Sequence, residues 1–162
     1  MVMEQLEELY REVILDHFRQ PHNRGELPGA TIKADGSNPL CGDELTYWIL
    51  LQHDRLHRVH FAGKGCAISQ AAASMLAAQL EGKTLSEAAH IIAAMKGLMQ
   101  GNAPDPSLDL GDLEALAGVR KFPVRVKCAA LSWNIIEQAL GAQWNMRPEV
   151  RCQKTEVGRQ IS

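Results

Sequence analysis

Leu45-Thr46-Tyr47-Trp48-Ile49-Leu50-Leu51, then His53-Asp54, then Leu56-His57-Arg58-Val59-His60-Phe61, is the stretch on which the fold turns. The first run is short, β-branched and aromatic, which predicts a strand. His53-Asp54 reads as a turn. The second run sets Val59 and Phe61 on one face against Arg58 and His60 on the other, the period-two pattern of a half-buried antiparallel partner, with Gly63 and Gly65 closing it. A third strand over 30–36 is only weakly signalled.

Helices surround this hairpin in the sequence. Leu6, Leu9, Tyr10, Val13, Ile14 and Phe18 recur at helical spacing over 5–19, and Pro21, Asn23 and Gly25 end the pattern. After Gly65 the chain becomes rich in alanine, so 66–80 predicts a closely packed helix stopping at Gly82. Thr84 and Glu87 form a capping-box pattern ahead of Ala88, Ile91, Ile92, Met95 and Met99, and the Met95, Leu98, Met99 group reads as core. Residues 101–112, with their prolines, glycines and aspartates, predict a loop, followed by a short helix at 112–117. Pro123 suits a helix start, and 124–140 predicts a last helix ending at Gly141. Strands early and helices late predict an α+β domain: a small antiparallel sheet of about three strands with helices on one face.

With 162 residues, 46% hydrophobic and 22% charged, the chain has the size and composition of one domain, taken here as 1–147 with a polar, mobile tail over 148–162. A chain of this length buries roughly 70% of its unfolded surface, so it needs no metal or disulfide merely to fold. A net charge of -2 and a pI near 6.3 argue against nucleic acid or anionic membrane as partners. The acidic start, Met1-Val2-Met3-Glu4-Gln5, is unlike a signal peptide, and no apolar run is long enough to span a membrane. A cytoplasmic location follows as the expectation. There thiols stay reduced, and the four cysteines read as ligands or nucleophiles rather than as disulfides.

Cys41-Gly42-Asp43 precedes a strand, and Gly42 has the backbone freedom to let its neighbours converge. Cys66 follows a Gly-Lys-Gly turn and opens a helix, where free N–H groups and the nearby Lys64 favour the thiolate. Cys128 lies near another helix start, just after Arg125 and Lys127, whose charges are expected to lower its thiol pKa and to offset a negative site. Three thiolates and a carboxylate would make a tetrahedral site for zinc, or for iron in a sulfur-held cluster. With zinc the site keeps a net charge of about -2, a physical reason for the nearby cations. Spacing alone carries little, since no CxxC pair is present and a helical cysteine is also a common buried hydrophobe. Cys152, in the polar tail, reads as a bystander, and His53, His57 and His60, on a turn and strand, read as solvent-facing rather than as ligands.

Three segments carry a resemblance: Asn38-Pro39-Leu40-Cys41-Gly42-Asp43, Gly63-Lys64-Gly65-Cys66-Ala67-Ile68-Ser69 and Arg125-Val126-Lys127-Cys128-Ala129-Ala130-Leu131-Ser132-Trp133. In order, they resemble the three cysteine motifs of the IscU/NifU-like iron–sulfur cluster assembly scaffold family. Tyr10 and the Asp16–Gly25 segment also look like that family, so the likeness covers about residues 5–141. The branch it resembles most is the SufU type. Lys127 stands where IscU proteins carry a histidine ligand, and the stretch from Cys66 to Cys128 is longer than in IscU. Phe122-Pro123-Val124-Arg125 replaces the Leu-Pro-Pro-Val-Lys signal read by a dedicated chaperone.

The resemblance implies a zinc-dependent sulfur acceptor and carrier for iron–sulfur cluster assembly. A SufS-type cysteine desulfurase would pass persulfide sulfur to Cys41 while Asp43, Cys66 and Cys128 keep the metal, and downstream assembly proteins would receive the product. The chain would then be a sulfurtransferase-like co-substrate rather than a stand-alone enzyme. The same four residues, Cys41, Asp43, Cys66 and Cys128, would serve an IscU-like scaffold holding a 2Fe–2S cluster. A structural zinc-binding interaction module is the reading from another class.

Overall fold

The computed structural model describes residues 2–145 apart from Pro104, so the tail, and Cys152 with it, lie outside the described residues. Helix α1 (Val2–Arg19) leads through a loop to strands β1 (Ile32–Asn38), β2 (Asp43–Gln52) and β3 (Arg55–Lys64). Helices α2 (Ala67–Leu80) and α3 (Leu85–Met99), a 3₁₀ segment (Gly111–Val119) and α4 (Pro123–Asn145) follow. The sheet is antiparallel in the order β1-β2-β3, with Ala34, Tyr47 and Phe61 in one row.

Alternation along the strands sorts the sheet into two faces. Leu45, Tyr47, Ile49, Leu56, Val59 and Phe61 are essentially inaccessible, whereas Glu44, Arg58 and Lys64 are exposed. The helices cover the apolar face only: α2 packs on β3, α4 on β1 and β2, α1 on α2 and the 3₁₀ segment, and α3 on α4. Helix α2 is central, buried from Ile68 through Ala77, and its alanines let neighbours approach on every side. The Tyr47 hydroxyl reaches this helix, donating to the Ala73 carbonyl at 3.0 Å. Among the described residues no helix is long and apolar enough to cross a membrane.

The capping box is present in full: Thr84 Oγ1 accepts the Glu87 N–H at 3.1 Å and Glu87 accepts the Thr84 N–H at 2.9 Å. Met95 and Leu98 are buried in the core, with Met99 packed at its edge. His53-Asp54 forms the turn, with His53 at φ 57°.

Several boundaries differ from the sequence reading. On α1 the core stripe is Tyr10, Val13, Ile14 and His17, while Leu9 and Phe18 lie on its margins facing solvent, 57% and 41% exposed. The weakly signalled strand is real and runs on to Asn38. β3 continues through Gly63 to Lys64, because Gly63 lies against β2 so closely that a Cβ there would meet the Glu44 carbonyl oxygen at 2.1 Å. The short helix is a nine-residue 3₁₀ segment. α4 passes Gly141 and is helical as far as Asn145, the last described residue, since a helix interior tolerates an isolated glycine at about 1 kcal/mol.

Candidate functional site

The register of the sheet builds the site. Asn38 pairs with Asp43, so Pro39–Gly42 forms the tip of the β1–β2 connection, and Cys41 sits on it, half-buried, with its N–H on the Asn38 carbonyl at 3.2 Å. Gly42 takes φ 68°, the left-handed region that favours glycine, and this turns Asp43 inward to complete burial. Glu44 pairs with Lys64, which sets Gly65 beside Asp43 and delivers Cys66 to the same place as the N-cap of α2. From the other side α4 packs on β1, with Ile135 and Leu131 seated against Gly36, and this brings the buried Cys128 beside Asn38, whose Nδ2 lies 3.9 Å from its sulfur.

Cys41 Sγ and Cys128 Sγ are 3.1 Å apart as free thiols. The ligand atoms of Cys41, Asp43 and Cys128 all lie within 4.8 Å of one another, and among the described residues this is the one cluster of three or more metal-ligating side chains. Cys66 stands at its edge. Its sulfur accepts the Ser69 N–H at 3.4 Å as a helix cap, yet it still acts on the Cys128 thiol and lines the same cleft. The cleft, about 480 Å³, is walled by Lys121, Phe122, Pro123, Val124 and Arg125. Leu40, Phe122 and Val124 leave large apolar surfaces exposed around the cysteines.

Asp43 carries the sharpest signal. Its Oδ1 accepts the Cys66 N–H at 2.9 Å and the Ser69 hydroxyl at 3.1 Å, while its Oδ2 is buried with no hydrogen-bond partner. A buried carboxylate oxygen without a donor is costly, by about 1–3 kcal/mol or more. A carboxylate with one such oxygen, clustered within 4.8 Å of two sulfurs, fits a thiophilic metal cation, so the residues present suit zinc or iron.

Burial pushes the Cys128 thiol well above the ordinary thiol range, and its neighbours Cys41, Cys66 and Asp43 push it the same way. This corrects the expectation that Arg125 and Lys127 would lower it. Both are exposed on the outer turns of α4, where water screens their charge, whereas the cysteine faces the core. Only Arg125 of the two lines the cleft. Lys64 is likewise turned away from Cys66, with its Nζ 3.1 Å from Glu44 on the outer face of the sheet.

His53 and His57 are exposed, and His60 is half-buried with a ring nitrogen 3.1 Å from Arg58. None joins a ligand cluster. A second buried polar group instead links the helices: His17 contacts Ser74 Oγ and Asp112 Oδ2, each at 2.8 Å, and Ser74 also accepts the His22 N–H at 2.7 Å. Ser74 is fully buried, so this Ser-His-Asp trio is a clamp between α1, α2 and the 3₁₀ segment rather than a nucleophilic centre. A wider hollow of about 600 Å³ on the outer sheet face, among Asp35, Ser37, Glu44, Thr46 and Lys64, contains no thiol. The sequence reading gave no role to Ser69 or Asn38. Both lie within the quoted motifs, but only their distances to Asp43 and Cys128 reveal what they touch.

A three-stranded sheet under helices, with thiols and a carboxylate converging from a hairpin tip and two helix starts, defines a class of small α+β domain with a candidate metal site. The model of the NifU-like N-terminal domain matches residues 9–143, and the chain belongs to the IscU/NifU-like family. It is 43% identical over 138 residues to the Bacillus subtilis zinc-dependent sulfurtransferase SufU, covering 85% of this chain and 93% of that protein. It is 36% identical over 140 residues to the iron–sulfur cluster assembly scaffold protein IscU of Streptococcus pyogenes, covering 86% and 87%. Among solved structures, one from Fervidobacterium islandicum AW-1, described as a candidate iron–sulfur cluster assembly scaffold for the SUF system, superposes with a TM-score of 0.73 at 35% identity, covering 80% of this chain and 94% of that one. The N-terminal domain of a NifU-like protein from Brucella abortus shares the fold, with a TM-score of 0.73 at 23% identity over 81% and 91%.

Proposed function

We propose that this chain is a zinc-dependent sulfur acceptor and carrier in iron–sulfur cluster assembly, with Cys41 as the accepting thiol and Asp43, Cys66 and Cys128 as the residues that keep the metal. The observation that carries this reading is the Cys41–Asp43–Cys128 cluster, whose ligand atoms lie within 4.8 Å of one another and whose carboxylate keeps a buried, partnerless Oδ2. The name of the Bacillus subtilis relative supports zinc and sulfur transfer together.

The four ligands are mounted unequally. Asp43 and Cys128 are buried and Cys66 caps a helix, whereas Cys41 rides on an exposed tip next to Leu40, 70% exposed, and Gly42. Cys41 is therefore the member free to leave. Zinc, held by these residues, would supply a positive charge that favours the thiolate form of its cysteine ligands.

The partner is a cysteine desulfurase of the SufS type carrying a cysteine persulfide. The Cys41 thiolate attacks the terminal sulfur, a new S–S bond forms on Cys41, the donor's S–S bond breaks, and the donor cysteine departs as a thiolate. The exposed Arg125 lines the cleft, where its charge would help attract an anionic donor.

Cys41→Ala is expected to retain zinc while abolishing both stimulation of the desulfurase and the mass increase of one sulfur on this chain. Unchanged stimulation overturns the reading. The scaffold named in the Streptococcus pyogenes relative motivates a second reading, in which the same ligands hold a 2Fe–2S cluster. Anaerobic reconstitution that yields a stable visible-absorbing cluster favours it, while tight zinc that accelerates desulfurase turnover favours the carrier.

A further inference from the structure

We propose that Ser69 is a positioning residue that fixes Asp43 as a one-oxygen metal ligand. The proposal rests on the reading that these residues hold a metal, and not on sulfur transfer.

Ser69 is fully buried in the first turn of α2, with its hydroxyl 3.1 Å from Asp43 Oδ1 and 3.0 Å from the Cys66 carbonyl oxygen. Gln70 Nε2 donates to the same hydroxyl at 3.3 Å, which occupies a lone pair and leaves the single proton for an oxygen acceptor. The Cys66 carbonyl already accepts the Gln70 N–H at 3.2 Å, and a charged acceptor makes a bond roughly twice as strong as a neutral one, so the proton goes to Asp43.

Together with the Cys66 N–H, this saturates Oδ1 and leaves Oδ2 as the carboxylate oxygen with no donor, free to serve as the ligand atom. The loop is shaped around the arrangement: a Cβ on Gly65 would lie 2.3 Å from Asp43 Oδ1 and 2.9 Å from Ser69 Oγ. Without the hydroxyl, the carboxylate keeps one donor and can rotate. It would then bind through both oxygens or swing away, and either lowers the fidelity of the site.

The test is zinc affinity, measured by competition with a chromophoric chelator, for wild type, Ser69→Ala, Asp43→Ala and the double variant. Metal-free unfolding of each reports folding separately. Ser69→Ala is expected to weaken zinc by about 10–100-fold, the usual scale for a residue that orients a ligand. In the Asp43→Ala background the same change is expected to shift affinity by no more than about 2-fold, because the hydroxyl then has no carboxylate to hold.

The visible absorption of the cobalt-loaded Ser69→Ala protein should change in shape as well as in occupancy, since ligand geometry has changed. An equal loss in both backgrounds, or wild-type affinity and spectrum in Ser69→Ala, overturns the proposal while leaving the metal reading intact. Failure of the wild type to bind zinc overturns both.

Discussion

Cys41 and Cys128 lie 3.1 Å apart, yet the chain mounts them in unlike ways. Cys128 is set in a wall: it belongs to a long helix anchored by the buried Trp133, Ile135 and Ile136, and it shares that wall with Asp43 on β2 and the cap of α2. Cys41, half-buried, sits on a four-residue tip between the exposed Leu40 and a glycine. The difference teaches how the proposed function would divide the site into holding and working parts. Groups that would retain a metal are fixed by packing, and the group that would change partners sits on the hairpin tip.

The sharpest way to break this comparison is to add one methyl group to each side of it. Gly65, in the wall, has φ 145° and no room for a Cβ, so Gly65→Ala is expected to cost about 3 kcal/mol or more from backbone strain and overlap together. Gly42, on the tip, has φ 68° but open space around it, so Gly42→Ala is expected to cost only about 1–2 kcal/mol. Urea unfolding of the two metal-free variants measures both, and equal losses would contradict a rigid wall.

Protonation sharpens the same contrast. The Cys128 thiol is held above its unfolded value by burial, so the metal-free fold gains from keeping that proton. That contribution is complete below the unfolded thiol pKa of about 8.5 and fades as pH rises above it, at up to about 1.4 kcal/mol per pH unit. Metal-free stability measured across pH 7–10 should therefore fall on the alkaline side. Zinc affinity should move the opposite way, rising with pH, because binding displaces the thiol protons.

The smallest effect lies far from both regions. Thr84→Ala removes one arm of the capping box of α3 and is expected to cost about 1 kcal/mol, with zinc affinity unchanged. Loss of zinc in that variant would mean that the wall extends further than the packing indicates.

Much of this was legible beforehand. Tyr47, Val59 and Phe61 announced the hairpin because alternation is a local property of a half-buried strand. Thr84 and Glu87 announced α3 for an equally local reason. β1 was faint because Asp35-Gly36-Ser37 has little strand propensity, and Gly36 is favoured there for a reason outside the strand: Ile135 of α4 would meet a Cβ at 2.9 Å. The helix end at Gly141 was misplaced because glycine stops a helix only where the backbone needs the left-handed region, which spacing does not disclose. The direction of the Cys128 shift was misread for a similar reason. Neighbours in sequence supplied charges, but neighbours in space supplied burial.

The sequence by itself determined the hairpin, the helix starts and the three cysteine motifs that mark the family, because each depends on residues close together in the chain. Only the tertiary structure decided that Asp43 keeps one oxygen unpaired, that Ser69 and Gly65 close around the other, and that Cys41 is half-buried on a hairpin tip while Cys128 is buried. Those facts depend on β2, β3, α2 and α4 meeting at one point. Register and packing create that meeting, and neither is written in any single segment.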